Sequence, residues 1–325
     1  MAIFFAMPGN ERLAGDLARL TQGRVGNIDV RRFPDGETYV RILSEVRARQ
    51  VFIVCTLAEP DSKLLPLAFA ASTIRDRGAA RVELIAPYLA YMRQDRIFHS
   101  GEALTSRFFA EMLQPKFDAL LTVDPHLHRR ASLDEIYDIP ATVVHAAPLL
   151  AQWVATHAGT GFIVGPDAES AQWVEAIARD AGVPWTIFSK VRRGDRKISL
   201  RAPDLSAFRG RVPILVDDII ASGATLRQAA RILSREGFPP ACCLVVHALC
   251  AAQTARAIRA RSAAFVTSNS VPNADSGFDV AALIAGALQA NAAVDRGTDV
   301  VAPGGATCPI QGPLPAPQPS EANRA

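Results

Sequence analysis

Ile214-Leu215-Val216-Asp217-Asp218-Ile219-Ile220-Ala221-Ser222-Gly223-Ala224-Thr225 runs directly into Leu226-Arg227-Gln228-Ala229-Ala230-Arg231-Ile232-Leu233. The apolar, β-branched first part predicts a buried strand, and apolar residues at 226, 229, 230 and 233 predict an amphipathic helix after it. Between them lies a turn of small residues carrying two hydroxyls. Such a strand-loop-helix unit suits a phosphate. The N–H groups of 222–225 point into the loop, the helix N-terminus adds partial positive charge, and Ser222 and Thr225 can donate hydroxyl hydrogen bonds. Asp217 and Asp218 would repel a phosphate, so they face sugar hydroxyls or a magnesium ion instead. Ser-Gly-Ala-Thr alone also makes an ordinary solvated turn; the paired aspartates ending a buried strand favour a sugar-phosphate site. Without the lysine of a Walker A motif, the loop signals a pentose phosphate better than a nucleotide.

The surrounding chain of 325 residues is 49% apolar and 21% charged, enough to bury two ordinary domains. Its formal charge of +3 is nearly balanced despite 35 Lys and Arg, so nucleic acid is not an expected partner. No run of about eighteen apolar residues is present to span a bilayer, and residues 1–7 lack the basic start of a signal peptide. The expectation is a soluble, cytoplasmic protein without a membrane partner. Five cysteines (Cys55, Cys242, Cys243, Cys250 and Cys308) without C-x-x-C spacing read as reduced core thiols.

Residues 2–7 read as a first strand and 11–20 as a helix with Leu13, Leu17 and Leu20 on one face, stopped at Gly23. Residues 30–42, around Pro34-Asp35-Gly36, read as a hairpin displaying Phe33, Asp35 and Glu37 at its tip. On local grounds alone, a plain turn accounts for them. Strands at 51–56, 82–88 and 119–123 then alternate with helices at 64–77 and 104–113, the pattern of a parallel sheet with helices on both faces. Ligands in such sheets are read at the carboxyl ends of strands. That places Arg93, Gln94 and Asp95 beyond one strand, and Asp124-Pro125-His126-Leu127-His128 beyond the next, in ligand-reading positions. No third nitrogen or sulfur ligand accompanies the two histidines at zinc spacing. A magnesium site using one His and nearby carboxylates remains compatible.

The pattern restarts with a helix at 149–157, a strand at 161–167 ending in Asp167, a helix at 172–181 and a strand at 185–190. Six of the positions 190–201 are Lys or Arg. They read either as solvated surface or as a lid that closes over a polyphosphate. After the opening unit come a strand at 242–248, a helix at 252–261, a strand at 264–268 and a helix at 280–288. Residues 292–325, rich in Gly, Pro and Ala without periodicity, read as a disordered tail. The result is an α/β chain of two halves, 1–146 and 147–291, each with a mainly parallel sheet flanked by helices.

Taken together, Phe-Pro-Asp-Gly-Glu-Thr-Tyr-Val-Arg-Ile at 33–42, Pro-Tyr-Leu-Ala-Tyr-Met-Arg-Gln-Asp-Arg at 87–96, Val-Asp-Pro-His at 123–126, Pro-Asp at 166–167, Lys-Val-Arg-Arg at 190–193 and the Val-Asp-Asp loop follow one another in order. This series resembles the ribose-phosphate pyrophosphokinase family, also called phosphoribosyl diphosphate (PRPP) synthetases, over roughly residues 2–290. Several motifs are worded more like its archaeal-type branch. The resemblance implies two phosphoribosyltransferase-like domains, and transfer of a pyrophosphoryl group from Mg2+-bound ATP to the 1-hydroxyl of ribose 5-phosphate, releasing AMP. Phe33, Asp35 and Glu37 would recognise adenine by reaching into a neighbouring subunit's site, so a homo-oligomer of at least two chains is implied. Arg93, Gln94, Asp95 and Arg96 match the ATP-holding motif, and His126 and Asp167 the positions near magnesium. Lys190 and Arg192 match the catalytic cations of the flap. Asp217 and Asp218 would hold the ribose hydroxyls, and Ala221, Ser222, Gly223, Ala224 and Thr225 the 5-phosphate.

Several departures stand out, the divergent stretch from Leu127 to Asp138 with its extra His128 among them. Ala221 occupies a position where many family members carry Asp, Pro125 replaces a usual Leu, and Ala168-Glu169-Ser170 replaces glycine-rich wording. A PRPP-using phosphoribosyltransferase would explain 214–225 but leave the hairpin and the Arg-Gln-Asp loop without a task. A non-catalytic regulatory homologue would be marked by loss of the flap lysine or the paired aspartates, and both are present.

Overall fold

Short apolar runs build most of the strands, and the segments between them build the helices. The computed structural model describes residues 1–127, 130–193 and 197–294. The first half contains β1 (Ile3–Ala6), α1 (Glu11–Leu20), β2 (Arg24–Gly26), β3 (Ile28–Arg32), β4 (Thr38–Ile42), β5 (Gln50–Val54), α2 (Leu64–Asp76), β6 (Arg81–Ala86), α3 (Thr105–Leu113), β7 (Ala119–Val123) and β8 (Ala141–Val144). The second contains α4 (Ala147–His157), β9 (Phe162–Gly165), α5 (Ala171–Ala181), β10 (Trp185–Ile187), β11 (Ser189–Arg193), β12 (Lys197–Arg201), β13 (Pro213–Ile220), α6 (Ala224–Arg235), β14 (Cys242–Ala248), α7 (Ala252–Arg259), β15 (Ala264–Ser268), β16 (Ser276–Phe278) and α8 (Ala281–Val294).

Two six-stranded sheets result, ordered β2-β1-β5-β6-β7-β8 and β10-β9-β13-β14-β15-β16. Every pairing in both is parallel, as the alternation of strand and helix requires. Two antiparallel hairpins stand outside them: β3 with β4, and β11 with β12. In each sheet the order reverses beside the first strand, and the carboxyl ends of neighbouring strands open a crevice there.

Met1–Leu288 forms a single unit. Phe4, Phe52, Ile85 and Val123 from the first sheet share one core with Ile163, Ile214, Val216 and Leu244 from the second, packed through Leu17, Leu150, Val154, Ile177 and Ile284 of the helices. This shared apolar layer fixes the strand ends of one sheet against those of the other, because close-packed cores deform little.

Helix α1 spans the expected residues, and the hairpin at 30–42 forms with Val30 opposite Val40. Four strands are additional. β2, β8 and β16 are three or four residues long, too short for periodicity to register, and β12 pairs with the basic segment. The strand expected at 185–190 is divided: β10 belongs to the large sheet, and β11 leaves it after Phe188 to pair with β12. The last helix continues to Val294 rather than ending at 288, through the helix-forming Gln289-Ala290-Asn291-Ala292-Ala293. His128 and residues 295–325 lie outside the described residues.

Candidate functional site

A cavity of about 670 Å³ lies where β6, β7, β9 and β13 end. β13 delivers Asp217 and Asp218 to it, and the first turn of α6 delivers Thr225. The chain beyond β7 contributes Asp124, Pro125 and His126, while Asp167 follows β9 and Arg93 follows β6. Lys190 reaches in from β11 and forms an ion pair with Asp167. His126 Nδ1 lies 2.6 Å from Asp218 Oδ2, joining residues 92 positions apart. The other Asp218 oxygen accepts the Ile219 N–H at 2.8 Å. Crowding has an electrostatic cost. Burial, then the neighbouring Asp218 and Asp167, push the Asp217 carboxyl well above the usual carboxylate range, with Lys190 pulling the other way.

The loop after β7 is held in an unusual backbone conformation. Asp124 has φ 34°, a region that non-glycine residues seldom adopt. Its carboxylate accepts the Ala146 N–H at 2.8 Å and faces His145 Nδ1 at 2.9 Å. That hydrogen bond raises the His145 pKa, against an opposing effect of burial. From the other sheet, His247 of β14 supports the same loop. Its Nε2 lies 3.1 Å from the Val123 carbonyl and 3.3 Å from the Asp124 carbonyl, so this nitrogen carries the proton and donates. Nδ1 faces the Ser270 hydroxyl at 2.9 Å. The ring is 1% exposed, and burial holds its pKa below the ordinary value.

The small-residue loop takes its shape from Gly223, at φ 66° immediately before α6. A Cβ there would stand 3.0 Å from Ile258 Cδ1 and 3.1 Å from Thr254 Cγ2, so α7 packs tightly against the loop. Ser222 Oγ accepts the Ala224 N–H at 3.3 Å, and Arg227 donates to the Ser222 carbonyl at 2.8 Å. Thr225 lines the cavity; Ala221, Ser222, Gly223 and Ala224 do not.

Asp217, Asp218, Thr225, His126, Asp167, Lys190 and Arg93 therefore come together. Gln94, Asp95 and Arg96 do not line the cavity. Gln94 Oε1 accepts the Thr105 hydroxyl at 3.3 Å, the Asp95 carbonyl accepts from Arg130 at 3.4 Å, and the Arg96 guanidinium lies 4.4 Å from the Phe98 ring centre. Phe33, Asp35 and Glu37 stay on the hairpin tip, away from the cavity lining. There Phe33 meets Tyr39 edge-on at 5.9 Å, Arg31 lies 4.0 Å from the Tyr39 ring centre, and Asp35 accepts the Glu37 N–H at 3.1 Å. The Arg192 backbone pairs with Ile198; its side chain lies outside the described residues.

Arg130, His145 and Trp173 also line the cavity without having been singled out from sequence. His247 had a readable signal, as a lone imidazole within Cys242-Cys243-Leu244-Val245-Val246-His247-Ala248. Among the described residues, no group of three or more His, Cys, Asp or Glu side chains forms a ready metal cage. The cavity combines cations with carboxylates and two histidines, suited to a substrate bearing both phosphate and hydroxyl groups.

Residues 2–116 match the family model described as the N-terminal domain of ribose phosphate pyrophosphokinase, and residues 132–281 match that of the phosphoribosyl transferase domain. The chain is 31% identical over 290 residues to a ribose-phosphate pyrophosphokinase of Methanopyrus kandleri, covering 88% of this chain and 98% of that one. A second, from Methanobrevibacter smithii, is 29% identical over 293 residues, covering 86% of this chain and 97% of that one. The crystal structure of phosphoribosylpyrophosphate synthetase from Mycobacterium smegmatis superposes with a TM-score of 0.78 at 23% identity, covering 91% of this chain and 99% of that one, a likeness of fold.

Proposed function

The chain belongs to the ribose-phosphate pyrophosphokinase family, and from that premise we propose that it moves the pyrophosphoryl group of Mg2+-bound ATP onto the 1-hydroxyl of ribose 5-phosphate, giving PRPP and AMP. The observation that carries this reading is the meeting of Lys190, Asp167, Asp217, Asp218 and His126 around one cavity from separate strand ends. Residues 1–146 act as the ATP half and 147–291 as the ribose 5-phosphate half. Asp217 and Asp218 accept hydrogen bonds from the ribose hydroxyls, and the 221–225 loop with Thr225 holds the 5-phosphate.

Arg93 and Lys190 neutralise the triphosphate, joined by Arg192 and by Arg130. Phosphoryl-type transfer asks little covalent chemistry of a protein, so positioning and charge supply most of the acceleration. Lys190 begins paired with Asp167 and exchanges that carboxylate for phosphate oxygens as ATP enters. Its charge is then directed at the transferring group. Phe33, Asp35 and Glu37 read adenine for a neighbouring copy, with Gln94, Asp95 and Arg96 framing the nucleotide.

The donor set suits magnesium, which takes one or two carboxylates, substrate phosphates and water rather than a complete protein cage. Asp167 and His126 would hold it, close to Asp217, whose carboxyl is raised first by burial and then by Asp218 and Asp167. When bound, the ion supplies charge neutralisation on the β- and γ-phosphates. The thiols of Cys55, Cys242, Cys243 and Cys250 are all unpaired with one another, as suits the reducing cytoplasm in which this reaction would run. No helix among the described residues is long and apolar enough to cross a membrane.

The test is phosphorus NMR of the purified chain with ribose 5-phosphate and Mg-ATP. AMP and PRPP should appear in equal amounts. A folded sample that makes neither, with other pentose phosphates also tried, would sink the proposal.

A further inference from the structure

A second cavity, of about 430 Å³, lies between α6 and α7, on a wall separate from the strand-end site. Its floor is apolar, built from Leu226, Ala230 and Ile258. The buried Cys243 joins that floor 3.3 Å from the Ser262 hydroxyl, and burial raises its thiol to about 11, so it remains uncharged. The rim is cationic. Arg227, Arg231 and Arg235 recur every four residues on one face of α6, and Arg261 faces them from the turn after α7. Among the described residues, no Asp or Glu lines the cavity, and Arg231, Arg235 and Arg261 form no ion pair. Like charges at i and i+4 on a helix are mutually destabilising, so this row carries a cost that a bound anion would offset.

Arg227 makes the cavity more than a surface patch. The same guanidinium donates to the Ser222 carbonyl at 2.8 Å, inside the loop assigned to the 5-phosphate, while Ile258 of the floor packs on Gly223. One side chain thus belongs both to the cavity rim and to the loop of the strand-end site.

We propose that the α6–α7 cavity binds a small organic phosphate, its apolar body on the Leu226–Ile258 floor and its phosphate among Arg231, Arg235 and Arg261, and that occupancy competes with Ser222 for Arg227. A volume of about 430 Å³ falls in the range of ordinary small-molecule sites, whose apolar walls and few charged groups it shares. By linkage, a ligand here that shifts the loop changes ribose 5-phosphate affinity, and ribose 5-phosphate changes the ligand's affinity by the same factor. Binding itself stands apart from the proposed reaction; the coupling rests on the assignment of the 221–225 loop.

The test is calorimetric titration of the full chain with 1-naphthyl phosphate, which carries an apolar ring and a dianion. Saturable binding is expected below about 1 mM. The double variant Arg231→Gln/Arg235→Gln, and separately Arg261→Gln, should each weaken it at least tenfold while circular dichroism stays unchanged. Lys190→Ala should leave it intact, since that side chain lies in the other cavity. No saturation, equal affinity in the arginine variants, or loss on Lys190→Ala would overturn the assignment. Sedimentation showing that the double variant alters self-association would also overturn it, by giving those arginines to a second copy of the chain. Ribose 5-phosphate titrated with and without naphthyl phosphate reads the coupling. Unchanged affinity refutes that part, whether or not the protein makes PRPP.

Discussion

His247 should make folding stability sensitive to mild acid. It stays neutral in the folded chain because burial outweighs the opposing pull of Asp124 and Asp218 and holds its pKa below the ordinary 6.5. The unfolded chain takes up a proton near 6.5 that the folded chain refuses. Stability from this group is therefore fully present above 6.5 and falls as pH drops toward the lowered folded value. Below 6.5 the loss grows with each step down in pH until the folded chain also takes up the proton. His247→Gln keeps an amide donor able to reach the Val123 and Asp124 carbonyls but has nothing to titrate. Urea unfolding of both proteins at stepped pH should show curves that converge on acidification, the wild type losing more stability than the variant. Parallel curves would refute the reasoning. His247→Leu removes the donor and should cost about 1–3 kcal/mol above pH 6.5, and less on acidification.

Lys190→Ala should lower turnover about 10²- to 10³-fold in the phosphorus NMR assay with little change in ATP affinity; unchanged turnover would mean the β11–β12 hairpin is not the catalytic lid. Asp217→Asn should raise the melting temperature near pH 7 while weakening ribose 5-phosphate binding. A carboxylate whose folded pKa is raised contributes stability at low pH that is lost as pH climbs through the raised value, so the advantage of Asn should vanish on acidification. Gly223→Ala should destabilise by about 1 kcal/mol or more through its φ of 66° and its contacts with Ile258 and Thr254, and should raise KM for ribose 5-phosphate. Phe33→Ala, at an exposed hairpin tip, should raise KM for ATP and leave the melting temperature unchanged.

Much of this was readable in the residues. Runs such as Val216 with its neighbours, or Ala119–Val123, are buried on both faces and announce themselves as continuous apolar segments, so the parallel sheets followed from composition and order. β8 escaped because Ala141–Val144 sits between Pro140 and the apolar start of α4, where a four-residue strand looks like more of the same hydrophobic passage. β16, Ser-Gly-Phe, carries no strand signal; its place is set by pairing with β15. At the site, residues that end strands were found because the fold rule says where strand ends point. Arg130 stands in an irregular loop and His145 directly follows β8, the short strand that escaped, so neither was found. The His126–Asp218 contact joins opposite halves, and no local pattern encodes a distance across 92 residues. Ala221 marks the missing acceptor where the resemblance departs; the loop retains Gly223 and Thr225.

The position of the β3–β4 hairpin has a genetic consequence. Its tip side chains serve no part of their own chain's cavity, so on the reading that each copy lends its tip to another, damage to the tip and damage to the cavity lie in different functional sites of the same assembly. Two inactive proteins, Phe33→Ala/Asp35→Ala and Lys190→Ala, should then rescue one another when dissociated, mixed and reassembled. Random pairing of equal amounts as dimers leaves about a quarter of the sites intact. A chain that read adenine with its own hairpin would yield a mixture as dead as its components.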